Sequence, residues 1–404
     1  MKVIALKLYQ RIIKRQIPHA ILSWRYFLPK QNYMVHLHRQ TFLSAWSGYP
    51  RIIWFLIACY SYSVWYLFYS WHQVYRTWKK NHKALLDRED ISSWKQLKGL
   101  LCLSLLNTTP PNFYYQYHLY RRPEREWLNF IYTHELPHWH TMMSPHISSR
   151  SQDLMSHKRT FAIEMIKHGI PAIASQYNLE KGDKLTNEQL FCQQSLFLKP
   201  DRGSRKEGCY ALHYHPENHS YSLEGSAIDK KLTRKGIKDI IEKQTLTQRY
   251  LIQALLENHP LISARCECKQ LITIRLITIL KANKPRVISA ILELPVPGDF
   301  EYIMPIIIEL DTGILSNMSG QHVRLDKQIE QRVQSLSGFE LPLWHQLLRV
   351  ALTAHLQFTD VHSIGWDLAI TPEGIRLIEG NLNWAVASHQ LDGIQRLICK
   401  KIDN

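Results

Sequence analysis

The segment from Ser363 to Asn381, Ser-Ile-Gly-Trp-Asp-Leu-Ala-Ile-Thr-Pro-Glu-Gly-Ile-Arg-Leu-Ile-Glu-Gly-Asn, constrains the fold more than any other part of the chain. Two apolar runs flank Thr371-Pro372-Glu373-Gly374. Proline suits the second position of a type I turn, and glycine the left-handed residue that follows in a three-residue hairpin loop with a bulge. Such a loop pairs Thr371 with Ile375. Counting outward, Asp367 falls opposite Glu379, and alternation along the strand turns Asn381 to the same side as Glu379. Two carboxylates facing each other across a ladder repel, so the pairing makes sense with a divalent cation between them. Oxygen ligands beside phosphate favour magnesium. An ordinary hairpin with its acids in water accounts equally for the spacing.

A second segment, Phe197-Leu-Lys-Pro-Asp-Arg-Gly-Ser-Arg-Lys-Glu-Gly-Cys, reads as a strand ending in Lys199, then a loop with Gly203, Ser204 and Gly208, then a returning strand over Cys209–His213. Glycines let backbone N–H groups approach phosphate oxygens, and a lysine at the strand end adds positive charge. A plain β-hairpin fits the same residues. Arg275 lies in an apolar run, Thr-Ile-Arg-Leu-Ile-Thr, where its charge needs an anionic partner: a phosphate, a substrate carboxylate or a structural Asp.

Around these segments the chain changes character. From about Asp90 to Gly169 it reads helical, with Asp90 or Ser92 capping Trp94–Leu106, Pro110 and Pro111 stopping it, and a further helix over Tyr114–Phe130. From Ile170 onward, short β-branched runs at Ser195–Lys199, Leu271–Leu280, Arg286–Leu294 and Ile303–Leu310 alternate with helices expected at Leu246–Leu256 and Pro342–Leu356. The fold class is therefore α+β. The formal charge of +16 is concentrated at the start: residues 1–86 hold 13 Lys and Arg and no Asp or Glu, leaving 37 basic against 34 acidic residues in the rest. The uncharged stretch Ile52–Tyr75 has the length of a membrane span. Its Trp and Tyr content instead suits a helix lying in the plane of a membrane surface. A cleavable signal peptide is not expected, because Lys7, Arg11, Lys14 and Arg15 interrupt the early apolar residues.

Asp367, Glu379 and Asn381 match the metal-binding Asp…Glu-x-Asn pattern of ATP-grasp ligases, and the words IGWDLAI and LIEGNLNW resemble the sugar-transfer associated ATP-grasp branch. The likeness runs from Asp153 to Trp384. It implies two α+β lobes clasping ATP, with a catalytic domain at 170–404 divided near 253–258, behind a basic leader at 1–86 and a helical region at 87–169. It implies an ADP-forming carboxylate-amine or carboxylate-thiol ligase working through an acyl phosphate, with ATP and Mg2+ as cofactors. Sugar-conjugate or surface-polysaccharide synthesis is the implied setting. By the same resemblance Lys199 contacts the nucleotide phosphates, with Arg275 beside it as a second catalytic cation. The loop of Gly203, Ser204 and Gly208 closes over the nucleotide, Gln253 meets the adenine edge and Glu257 the ribose. The loop is more basic, with Arg202, Arg205 and Lys206, than the glycine-rich pattern of the family. A kinase of a hydroxyl acceptor would handle phosphate in the same way. A basic nucleic-acid-binding module built on the leader is the alternative of another class, although an anionic membrane surface at the cytoplasmic face is the partner that residues 1–86 suit better.

Two other patterns lead elsewhere. His134-Glu135-Leu136-Pro137-His138 spells HExxH, the zinc protease signature, but needs both histidines on one face of a continuous helix, and Pro137 sits inside that turn. Seven irregularly spaced cysteines read as free thiols. The lone Cys266-Glu-Cys268, placed on a strand by its neighbours, has no second pair to complete a zinc site.

Overall fold

The computed structural model describes residues 18–29, 32–44, 50–203, 207–225, 232–296, 299–318 and 327–390. They belong to two compact units: Met1–Pro145 with Ser319–Arg332 and Asn383–Asn404, and His146–Met318 with Val333–Leu382.

The first unit is helical. Its helices are α1 (Tyr33–Ser44), α2 (Arg51–Val64), α3 (Ser70–Glu89), α4 (Ser93–Leu101), α5 (Asn112–Gln116) and α6 (Leu136–Met143). A π turn, Trp65–Tyr69, joins α2 to α3. Ser92 caps α4 by accepting from Lys95 N at 3.3 Å. Aromatic rings fill the interior: Phe113, Tyr114, Tyr117, Trp127, Phe130 and Tyr132 are all buried together. The helix expected over Tyr114–Phe130 is broken, because His118 takes a left-handed conformation (φ 50°) and Pro123 precedes a separate 3-10 turn at Glu124–Asn129. The HExxH motif holds no zinc helix. α6 starts after His134, with Pro137 in its first turn where no N–H is missed, and Glu135 is buried against His38 Nδ1 at 2.9 Å. His38 Nε2 faces Leu128 O at 3.0 Å, so both ring nitrogens meet acceptors. Burial opposes the imidazolium, yet the Glu135 carboxylate outweighs it and holds the His38 pKa above its usual value.

The second unit opens with α7 (Ser149–Ser156) and α8 (Lys158–Lys167) and continues into two antiparallel sheets. The smaller sheet has the order β1 (Tyr177–Leu179), β5 (Tyr250–Ala254), β2 (Leu196–Pro200), β3 (Tyr210–His215), β4 (Ser220–Gly225). Helix α9 (Arg234–Thr245) covers it with Ile237 and Ile241, one turn apart and both fully buried. The helix expected at Leu246–Leu256 is strand β5. Its residues are good helix formers, but Tyr250–Ala254 pair with β2 on one side and β1 on the other, and that context overrides propensity. Cys266 ends helix α10 (Pro260–Cys266), so the CxC does not lie on a strand. The larger sheet has the order β11 (Gly374–Asn381), β10 (Ser363–Thr371), β6 (Thr273–Lys281), β7 (Lys284–Val296), β8 (Asp299–Ile308), β9 (Leu315–Met318). Helix α11 (Trp344–His355) packs on β6, β7 and β10, and every residue of β10 is buried.

Beneath α11 a polar chain runs through that core. Trp366 Nε1 donates to Thr278 Oγ1 at 2.7 Å, Thr278 Oγ1 lies 2.6 Å from His355 Nδ1, and His355 Nε2 lies 3.0 Å from Val361 O. With the Thr278 hydroxyl donating to Nδ1, His355 carries its proton on Nε2 and is neutral; the same hydroxyl also lies 3.4 Å from Ile364 O. Burial accordingly lowers its pKa from 6.5 to about 4. Unfolded protein then takes up a proton at His355 that the folded protein refuses, so this contribution to stability is present above pH 6.5 and is lost as pH falls towards about 4. His355→Gln should reduce the pH slope of unfolding free energy in that window by up to about 1.4 kcal/mol per pH unit. Urea titrations at several pH values read it directly. An unchanged slope would mean that His355 is charged in the fold.

Candidate active site

The hairpin of β10 and β11 turns in two residues, Pro372 and Glu373, and not in three. Thr371 pairs with Gly374 and Ile370 with Ile375, with Gly374 at φ 106°. Further out, a bulge between Asp367 and Leu368 restores the missing residue: Leu368 lies opposite Leu377, but Asp367 lies opposite Glu379. The two acids face each other as the sequence count expects, through a different turn and a compensating bulge. Gly380 beside them is required sterically. A Cβ there would come within 2.8 Å of Met155 Sδ and of the Trp366 ring.

On its other side β10 pairs with β6, which sets Asp367 opposite Arg275. Arg275 Nη2 donates to Asp367 Oδ2 at 2.8 Å and its Nε contacts Asp367 Oδ1. The same Nη2 lies 3.6 Å from Glu293 Oε1, and Glu293 Oε2 accepts from Thr273 Oγ1 at 2.7 Å. Of the anionic partners open to Arg275, the structure holds the protein's own carboxylates. Burial favours the neutral guanidinium, but Asp367 and Glu293 overcome this and raise its pKa further. Asn381 Nδ2 lies 3.4 Å from Asp367 Oδ2 and 3.4 Å from Glu379 Oε1. Across from β11, Lys158 Nζ sits 3.7 Å from Glu379 Oε2 and donates to Gly203 O at 2.7 Å.

The two facing carboxylates are pushed apart electrically. Burial raises the Asp367 pKa well above its usual value despite Arg275, and the Glu379 charge adds to the rise. Burial also opposes the charge on Glu379, but Lys158 and Lys199 prevail and hold its pKa low. Lys199, on β2 opposite Leu251, is 4% exposed and makes no ion pair among the described residues. Burial lowers its pKa from 10.5 to about 8, with Glu379 acting against the fall.

Around Lys199 the loop is partly defined. Gly203 and Gly208 both take positive φ (132° and 71°), and Tyr250 Oη donates to Gly208 O at 2.8 Å. Ser204, Arg205 and Lys206 lie outside the described residues. Asp201 ties the loop to the start of α8, accepting from Arg159 N at 3.0 Å, while Arg202 Nε donates to His157 Nε2 at 2.8 Å. Gln253 is buried and donates from Nε2 to Ile173 O at 2.9 Å; Glu257 is exposed just beyond β5. A cleft of about 630 Å³ opens beside the hairpin, lined by Ser149, Gln152, Asp153, Met155, Ser156, Lys158, Phe161, Arg202, Gly203, Glu379, Gly380 and Asn381. Of the residues singled out from sequence, Gly203, Glu379 and Asn381 face this cleft, while Asp367 and Lys199 are buried and Arg275 half-buried near the same hairpin. Lys158 and Glu293 were not singled out. Glu293 carried a signal, an acid within the apolar run Ile-Leu-Glu-Leu; Lys158 carried none.

Among the described residues no group of three or more His, Cys, Asp or Glu side chains is arranged to hold a metal. The candidate set is two carboxylates and an amide, all oxygen-bearing, which is the donor chemistry of Mg2+ and not of zinc. Asn381 presents its NH2 to both acids. Its oxygen becomes a ligand only when the amide turns over. With that change the residues fit a hard divalent cation.

The family model described as sugar-transfer associated ATP-grasp matches residues 140–404. No curated protein matches the chain. Solved structures similar to it include D-alanyl-alanine synthetase A from Vibrio cholerae, at 14% identity over 58% of this chain and 57% of that one, TM-score 0.35. D-alanine–D-alanine ligase from Bacillus anthracis, complexed with ATP, is similar at 12% identity over 60% of each chain, TM-score 0.36. L-amino acid ligase from Bacillus licheniformis follows at 10% identity, over 62% of this chain and 46% of that one, TM-score 0.34. The chain spans about half to three-fifths of the length of these proteins, and likenesses so remote say nothing of what it acts on.

Removing one partner of a buried ion pair leaves the other uncompensated, at a cost of about 3–5 kcal/mol. Arg275→Met should therefore lower stability by that order in a urea titration. Adding Asp367→Asn should return part of the loss, because it removes the buried carboxyl left without its guanidinium partner. Strict additivity of the two substitutions would show that the pair does not organise the hairpin.

Proposed function

The chain belongs to the sugar-transfer associated ATP-grasp family, and from that premise we propose that it is an ATP-dependent, ADP-forming ligase that joins a carboxylate to an amine. The observation that carries this reading is the convergence of Asp367, Glu379 and Asn381 beside two lysines within the span the family model matches. We take residues 170–404 as the catalytic part, with lobes dividing near 253–258, and add Lys158 from the preceding helix. The leader at 1–86 and the helical region at 87–169 come before it.

The electrostatics of the site suit this role. Lys158 and Lys199 lean on Glu379, while Arg275 serves Asp367 and Glu293. Incoming phosphates carry the negative charge for which both lysines are free to exchange partners, and Asp367, Glu379 and Asn381 would then hold Mg2+. That cation, when bound, supplies neutralisation of charge developing on the transferred phosphoryl group. Arg275 acts through Asp367, keeping its carboxylate aimed. By the family resemblance, backbone N–H groups at Gly203 and Gly208 would approach the phosphates, Gln253 would stand at the adenine edge and Glu257 near the ribose. The substrate carboxylate attacks the γ-phosphorus and ADP leaves. The amine then attacks the acyl carbon, loses its proton and expels phosphate. Exclusion of water from the site would protect the acyl phosphate.

The family's description suggests a sugar conjugate as product and surface-polysaccharide synthesis as its setting. On this reading the enzyme works in the cytoplasm, with residues 1–86 at the inner face of a membrane that carries the acceptor. Among the described residues no helix is long and apolar enough to cross that membrane.

Purified protein should release ADP and phosphate from ATP in the presence of one of a panel of carboxylic acids and amines that includes amino sugars and uronic acids. Release of AMP, or ADP with a phosphorylated hydroxyl, would replace the ligase with an adenylating enzyme or a kinase. Glu379→Gln should abolish turnover while circular dichroism and unfolding stay near wild type; retained turnover would remove the metal role. Lys199→Ala should weaken binding of a non-hydrolysable ATP analogue by about tenfold or more, the scale of one charge-assisted contact. Unchanged affinity would leave the loop a plain hairpin.

A further inference from the structure

The helix formed by α2, the π turn and α3 runs unbroken from Arg51 to Glu89. One side is bound into its own unit. Tyr62 Oη donates to Ala20 O at 2.9 Å, Trp65 Nε1 donates to Ser104 O at 2.8 Å, and Val74 and Leu85 are buried. The other side carries Ile52, Leu56, Tyr60, Leu67, Trp71 and Tyr75, each between 48% and 76% exposed. Their spacing of four or seven residues makes one stripe about six turns long. The π turn adds about one residue to the repeat and keeps the two halves of the stripe in line.

No Lys, Arg, Asp or Glu interrupts residues 52–75. Immediately after the stripe come Arg76, Lys79, Lys80 and Lys83, all exposed, with the Lys79 ammonium 5.9 Å from the centre of the Tyr75 ring. Large apolar and aromatic side chains exposed in one contiguous stripe mark a surface for contact with a partner or a membrane. The helix cannot cross a bilayer with one whole side committed to Ala20, Ser104 and the interior of the unit. A second copy docked on the same face would bring the same four bases together, with Asp87 and Glu89 at the end of the helix as the only acids on it. Acidic lipid headgroups neutralise those bases directly.

We propose that this face is a lipid-docking surface. The helix lies in the plane of an anionic bilayer, with Leu67, Trp71 and their neighbours at the acyl boundary and the four bases over acidic headgroups. Attachment is carried by the apolar stripe, and the bases set the preference for anionic lipid. It stands apart from the ligase reading, because vesicle binding is measured without turnover.

The test is sedimentation of the full-length protein with phosphatidylcholine vesicles, with and without phosphatidylserine. Wild type should sediment with the serine-containing vesicles and stay largely bound at high salt. Leu67→Glu with Trp71→Glu, two exposed changes that leave the circular dichroism spectrum intact, should reduce partitioning by at least about tenfold. Lys79→Gln, Lys80→Gln and Lys83→Gln together should abolish the lipid preference and lose less binding. Equal binding by the double glutamate variant, or full release of wild type by salt, would overturn the proposal. So would wild-type dimers that the double variant breaks without any vesicle binding, which would assign the face to a second copy.

Discussion

The guanidinium of Arg275 is the point on which the site depends. A single arginine on the central strand β6 faces Asp367 on one neighbouring strand and reaches Glu293 on the other. Buried carboxylates are costly unless paired. Without Arg275, the register that brings Asp367 opposite Glu379 would leave Asp367 with no cation against it, since Lys158 and Lys199 act on Glu379. With it, Asp367 is fixed from behind and Glu379 is left to face the cleft and Lys158. A residue whose expected partners are a phosphate, a substrate carboxylate or a structural Asp thus serves the carboxylate that would touch the cation.

How much of this was legible in the sequence varies with the range of the interaction. The hairpin was legible because alternation is local: apolar runs on both sides of Pro372-Glu373 place Asp367 and Glu379 on facing strands. The turn itself is one residue shorter than the three-residue loop that the spacing predicts. The bulge near Leu368 makes up the difference, and no short-range rule announces such a bulge. Lys199 and its strand, and the pairing of β2 with β3, also followed from the order of residues. Gln253 was placed on a helix by propensity and lies on a strand, because β5 is held between two neighbours that propensity cannot sense. Lys158 was invisible for a plainer reason. Its contacts, Gly203 and Glu379, lie far along the chain, and a lysine opening a helix looks like any other.

The helical unit shows the same division. The aromatic residues between Phe113 and Tyr132 form one buried interior, which the expectation of a helix over Tyr114–Phe130 does not convey. Continuity did not follow: a left-handed His118 and Pro123 break the segment into short turns. The HExxH string illustrates how little spelling fixes. Its glutamate is spent on a buried ion pair with His38, a partner that only the folded chain supplies.

Binding of Mn2+ in place of Mg2+, followed by electron paramagnetic resonance in the presence of a non-hydrolysable ATP analogue, tests the central claim most directly. The account predicts one protein-bound manganese per chain in the wild type, with its signal lost in Asp367→Asn even where that variant stays folded. A bound-manganese signal that is the same in both proteins would contradict it, and would move the cation away from the hairpin.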